Sequence, residues 1–323
     1  MAANVVFALG LTLMGCAQGP WGLFAAWLVI GVAMGSGLYE AAFATLVRLY
    51  GKDSRGAITG VTLFAGFAST VGWPLTAWFE TRMGWRGACF AWAGLHVVLA
   101  LPLNWSLPRP TGSTARMGST TEADHHIAPA NPRRSAVLLA IVFAITWFIS
   151  TAMAAHLPRL LMAGGATLAA AVAIGALVGP AQVAGRLLEF GFLRKMHPLQ
   201  SARLAALMHP LGVAVLLVFG APAAAAFALF HGAGNGILTI AIGTLPLMIF
   251  GSKGYGQRQG MLMVPARIVQ ALAPWLFGVS LERWGTGALW LSASLGMVAF
   301  GALLLLHRPG AAVNPTVGQA TTT

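Results

Sequence analysis

Apolar residues run through this chain in blocks long enough to cross a lipid bilayer as helices, broken by short stretches of Gly, Pro and basic side chains. The hydrocarbon core is about 30 Å thick, so a helical span needs about 20 predominantly apolar residues. Ten blocks reach or approach that length: roughly 4–19, 22–48, 57–79, 87–106, 135–155, 166–188, 202–219, 223–248, 258–280 and 287–306. The pattern predicts an all-α integral membrane protein with about ten transmembrane helices. Asn, Gly and Pro interrupt several blocks, which is tolerated in a membrane where neighbouring helices satisfy the freed backbone groups.

The connections are short with one exception. Residues 107–134 include Pro108, Pro110, Gly112, Ser113, Thr114, Asp124, His125, His126 and Pro132, and read as a flexible linker. It divides a four-span part, residues 1–106, from a six-span part, residues 135–308. Residues 309–323 carry no apolar period and read as a disordered tail. No charged region precedes the first apolar block, which runs directly into others, so it reads as a first span rather than a cleaved signal.

Composition strengthens the membrane reading. Only 8% of the 323 residues are charged, against about 25% in soluble domains. The 58% of hydrophobic residues, 40 glycines and 11 tryptophans suit helices packed in lipid. Cys16 and Cys89 lie in separate apolar blocks and indicate no disulfide framework.

Net charge of +12 raises nucleic acid as a partner, but the basic residues form no stripe. They recur in short clusters between apolar blocks, where topology determinants sit. Arg48, Lys52, Arg55, Arg109, Arg116, Arg133, Arg134, Arg186, Arg194, Lys195, Arg203, Lys253, Arg258 and Arg308 fall on one side, against Arg82, Arg86, Arg159 and Arg283 on the other. The excess predicts a cytoplasmic linker and cytoplasmic termini, and an even number of spans agrees.

The two parts also echo one another. Gly35-Ser36-Gly37 matches Gly234-Asn235-Gly236, Gly51 matches Gly251, and Gly56 and Gly60 match Gly256 and Gly260. Trp73-Pro74-Leu75 answers to Pro274-Trp275-Leu276, and each copy closes on Glu80 or Glu282, an arginine and a Trp/Gly pair. The copies run in the same direction, a parallel repeat of a kind found in secondary transporters.

Several segments then carry a likeness to a known family. Trp27-Leu28-Val29-Ile30-Gly31-Val32-Ala33-Met34-Gly35-Ser36-Gly37, Gly84-Trp85-Arg86-Gly87-Ala88-Cys89-Phe90, Gly179-Pro180-Ala181-Gln182-Val183-Ala184-Gly185-Arg186 and Tyr255-Gly256-Gln257-Arg258-Gln259-Gly260 occur in an order and spacing that resembles the major facilitator superfamily, bacterial members included. The resemblance implies two helical bundles joined by a cytoplasmic linker in a bacterial inner membrane. It matches the segments above to the family's fourth helix, the turn into the sixth, the end of the eighth and the start of the eleventh. Counterparts of the first two helices are missing, which implies an internal start at Met1 in a longer protein, or else a reduced form.

Charges inside apolar blocks mark the candidate site, because an ionised group in a span is costly and usually faces a cavity or partner. Glu40, beside Tyr39 and about 12 Å along the helix from Arg48, is the sharpest candidate for a proton carrier; the competing reading is a structural hydrogen bond between helices. Arg267, six residues or so inside its block after Pro265, would hold an anionic solute or pair with a carboxylate, unless it snorkels to the headgroups. Gln270 lies one turn beyond on the same face. His231 and Asn235 are four residues apart and would line the solute path together. Gly35, Gly37 and Gly185, with Gly31, Gly72 and Gly179, are expected at close helix contacts; Gln182 and Arg186 are expected near a cytoplasmic gate.

Nothing points to covalent chemistry. The histidines lack metal-ligand spacing, no phosphate-cradling glycine loop is present, and no cofactor is expected. The sequence therefore predicts a monomeric secondary transporter of a small organic solute, an organic anion or drug-like compound, coupled to protons and working by alternating access. A truncated, non-transporting protein of the same fold is the alternative, and an integral membrane enzyme a weaker one.

Overall fold

The computed structural model describes residues 2–106, 129 and 131–306; most of the expected linker and the expected tail from residue 307 onward lie outside the described residues. The described elements are helical: α1 (Ala2–Cys16), α2 (Pro20–Gly37), α3 (Tyr39–Tyr50), α4 (Ser54–Gly66), α5 (Ala68–Leu95), a π-helical segment His96–Ala100, α6 (Leu101–Trp105), α7 (Pro132–Ala163), α8 (Leu168–Ala176), α9 (Val178–Gly191), α10 (Pro198–Phe219), α11 (Ala224–Phe250), α12 (Tyr255–Trp284) and α13 (Ala288–Leu305).

The all-α character is as the apolar pattern predicts, but the count of about ten spans is overturned. Among the described residues, seven helical runs are long and apolar enough to cross a membrane: Pro20–Gly66, Pro74–Trp105, Pro132–Ala163, Leu168–Gly191, Pro198–Phe219, Ala221–Phe250 and Tyr255–Leu305. Ala2–Cys16 is apolar but shorter. The difference has a local cause. Polar and glycine positions that read as breaks are single 3₁₀ turns, Gly51–Asp53 and Gly285–Gly287, so the helices on either side follow one another with no longer connection. Blocks counted separately on either side thus belong to runs of 47 and 51 residues. An even span count therefore no longer supports the expected orientation.

α11 lies at the centre of the C-terminal helices, packing on α7, α9, α10 and, from the N-terminal helices, α4. Its sequence explains the position: no charge interrupts it, and Gly232, Gly234 and Gly236 let neighbouring backbones come close. One apolar cluster joins Phe148, Met153, Phe227 and Phe277; another joins Phe143, Leu245, Met263 and Leu303. Among the N-terminal helices α1 packs on both α2 and α5, while α3 reaches α12 and α4 reaches α9 and α11. That contact is itself apolar at its centre, where Phe43, Val47 and Ile58 meet Leu247 and Tyr255.

The repeated glycines have matching geometry. Gly51 ends α3 with φ +54 and Gly251 ends α11 with φ +76, each before a short basic turn. Residues other than glycine rarely adopt that backbone.

Candidate functional site

Glu40 sits where one helix ends and another begins. Leu38 leaves helical geometry (φ −95, ψ −156) between α2 and α3, placing Glu40 in the first turn of α3. The run before the break, Gly35-Ser36-Gly37, is poor in helix propensity. A helix start presents unpaired N–H groups and the positive end of its dipole, which favour a carboxylate there. The sequence suggested a residue deep within one continuous span; the structure gives instead a residue at a helix interruption.

Arg267 of α12 comes to Glu40 from the other side. Its Nη2 donates to Glu40 Oε1, and its Nη1 donates to Gln270 Oε1 at 2.6 Å. The guanidinium lies over the Trp147 ring of α7, 4.6 Å from its centre. One arginine is therefore held by a carboxylate, an amide and an aromatic face at once, which its planar fork permits. Trp147 Nε1 is buried with no hydrogen-bond partner among the described residues. Trp147 escaped the sequence reading because nothing distinguishes it there among the other tryptophans.

The Tyr39 ring packs at a tilt against Phe43, 5.5 Å between centres, and its hydroxyl hydrogen-bonds with Arg186. Arg186 is buried, and its Nη1 lies against Gly66, where a Cβ would stand 2.5 Å away. Nearby, Arg55 of α4 donates from Nη2 to Glu189 Oε1 of α9 at 2.9 Å and from Nη1 to the Met196 carbonyl at 3.2 Å. Glu189 was also missed, although a signal existed: it is one of only seven acidic residues, and it falls three positions after Arg186.

His231 and Asn235 do share a face, but not with Glu40. His231 Nδ1 hydrogen-bonds His209 Nδ1 at 3.0 Å, and Asn235 Nδ2 donates to Ser150 Oγ at 3.1 Å. Both line a small cavity of about 30 Å³ enclosed by α7, α10, α11 and α13, which none of Glu40, Arg267 or Gln270 borders. Because one Nδ1 must accept from the other, at least one of the two rings is neutral. His209 Nε2 has no hydrogen-bond partner among the described residues, and the cavity has room for a water to supply one.

This pair yields a stability prediction. His231→Leu should cost about 1–3 kcal/mol, since it strands a second buried nitrogen of His209. Replacing both histidines by leucine should recover most of that loss. Thermal unfolding of the detergent-solubilised single and double variants measures both.

The expected glycine contacts divide. A Cβ on Gly185 would stand 2.4 Å from the Ala233 carbonyl oxygen, and one on Gly37 would stand 2.9 Å from Ala3 Cβ. Gln182, half-buried, presents its backbone carbonyl to Gly236. Gly31, Gly35, Gly72 and Gly179 face open space, so close approach is not their role here.

Solved membrane transporters are among the structures that the chain matches. It aligns over 94% of its length with the human organic anion transporter MFSD10 (TETRAN), at TM-score 0.72 and 14% identity over 75% of that chain. The E. coli fucose:proton symporter FucP gives TM-score 0.69 and 16% identity over 82% of its chain. The proton:xylose symporter XylE, bound to 6-bromo-6-deoxy-D-glucose, gives 0.73 and 12% over 79%. No protein-family profile matches the chain, and no curated protein matches it. At such identities the likeness is one of fold. The protein is a multi-pass membrane protein with the fold of the major facilitator superfamily.

Proposed function

We propose that the protein is a secondary active transporter of a small organic solute, driven by protons and working by alternating access. The observation that carries this reading is the Glu40–Arg267 ion pair, which joins an N-terminal helix to a C-terminal one. Charge pairs between two sets of helices are suited to a cycle in which the sets part and rejoin, because each state exchanges one partner for another. In this reading residues 1–106 and 135–308 are the two moving units. Both termini and the linker face the cytoplasm of a bacterial inner membrane.

Roles follow from chemistry. Glu40 carries the proton. When it is neutral, the Arg267 guanidinium is freed for an anionic oxygen of the solute, and Trp147 Nε1–H is a further donor beside it. Gln270 keeps Arg267 aligned throughout. Arg55–Glu189, with Arg186 and Tyr39, closes the basic end between α3, α4 and α9. The cargo classes of the structural neighbours, an organic anion in one and sugars with protons in two, support a polar organic solute.

Flux into proteoliposomes tests the proposal. With radiolabelled monocarboxylates and monosaccharides, an imposed pH gradient should accelerate uptake of at least one, and a protonophore should abolish the acceleration. Flux indifferent to the gradient would remove the proton role, and an absence of flux for every organic solute would remove transport.

A further inference from the structure

A second cavity, of about 290 Å³, lies where the turn between α3 and α4 meets the turn between α11 and α12. Lys52 and Arg55 border it from the N-terminal helices; Thr244, Gly251, Ser252 and Pro198 border it from the C-terminal ones. No lining residue is acidic. Arg55 is engaged through both terminal nitrogens, and its Nε is buried without a hydrogen-bond partner among the described residues. Lys52 has no ion-pair partner among the described residues, although Asp53 adjoins it in the chain. Farther round the same end, Arg258 is committed to the carbonyls of Phe250 and Lys253.

We infer that this cavity is a binding site for a phosphate group. The ammonium of Lys52 supplies a charge-assisted donor of the kind that phosphate oxygens accept, and the Arg55 guanidinium in the wall, shared with Glu189, adds positive charge beside it. Ser252 adds a hydroxyl. α10 begins at Pro198 in the wall, although its first free amide, the Leu199 N–H, is already taken by His197 Nδ1. The volume exceeds that of a bare carboxylate and leaves room for a tetrahedral oxyanion with water or with a glycerol arm. The donors come from both sides of the contact between the N-terminal and C-terminal helices. A bound phosphate therefore favours the arrangement in which that contact is made, by its differential affinity for it. The site depends on this contact and not on any transport activity.

The chemistry admits two sources, a free phosphate or a lipid headgroup, and the experiment separates them. In a non-phospholipid detergent the full chain is titrated with inorganic phosphate against chloride at equal ionic strength, and its unfolding midpoint recorded. In parallel, nanodiscs of phosphatidylcholine alone are compared with discs containing phosphatidylglycerol. A saturable rise of about 3 °C in one arm or both supports the site and names the source. Lys52→Ala should weaken that response about tenfold or more, while Lys52→Arg restores it; Ser252→Ala provides a second reading should Lys52→Ala not fold. Equal shifts with chloride, no shift in either arm, or a folded Lys52→Ala that responds as the unaltered protein does would overturn the inference.

Discussion

Gly236→Ala should prevent α9 and α11 from closing and leave little folded protein to recover from the membrane. A Cβ at that position would stand 2.3 Å from the Gln182 carbonyl oxygen and 3.0 Å from the carbon behind it. The obstacle is backbone, so no rotamer change relieves it. One turn of helix away the seam repeats with the roles exchanged, Gly185 of α9 lying under Ala233 of α11. Overpacking costs 1–3 kcal/mol in typical cores and more where the surroundings cannot shift, so about 3 kcal/mol is expected here. Gly260→Ala is the control. Its Cβ would meet nothing within 4 Å, and alanine is the better helix former by about 0.5–1 kcal/mol. Size-exclusion profiles and unfolding midpoints of the two variants should therefore move in opposite directions. Equal behaviour would show that α9 and α11 are not seated this tightly.

Arg267→Gln should abolish solute uptake and destabilise the protein more than Glu40→Gln does. Breaking a fully buried ion pair costs about 3–5 kcal/mol. Here the side chains are 36% and 17% exposed, and solvent screening lowers the expected loss to about 1–2 kcal/mol. The asymmetry comes from what each change leaves behind. Without Arg267, Glu40 loses its counter-ion, whereas without Glu40 the guanidinium still has Gln270 and the Trp147 face. Arg267→Lys should not rescue, because a single ammonium cannot serve three partners in that geometry. A double-mutant cycle on the unfolding midpoint should return a coupling of at least 0.5 kcal/mol. Additive single effects would mean that the pair contributes no stability, and full uptake by Arg267→Gln would remove it from the solute path.

Glu40, Arg267 and Gln270 were each visible in the sequence because a charge or amide within an apolar block is costly enough to need a reason. Their meeting was not visible, since 227 positions separate the carboxylate from the arginine. For His231 and Asn235, helical spacing gives a shared face but says nothing of what that face meets, which is His209 and Ser150. The helix interruption at Leu38 was equally hidden, because a leucine between Gly37 and Tyr39 carries no local signal of a break.

What the sequence by itself determined is the solvent and the class of element: bilayer thickness imposes a length rule on every span, and that rule is local, so blocks of apolar residues express it one by one. It did not determine how those blocks join, and short 3₁₀ turns merge windows that look separate. Only the tertiary structure decided which buried charges pair, which glycines lie under a neighbouring backbone, and where Lys52 and Arg55 face a cavity without an acid. Those outcomes depend on distances between helices far apart along the chain, set by side-chain volume at each crossing, and no window of neighbouring residues contains them.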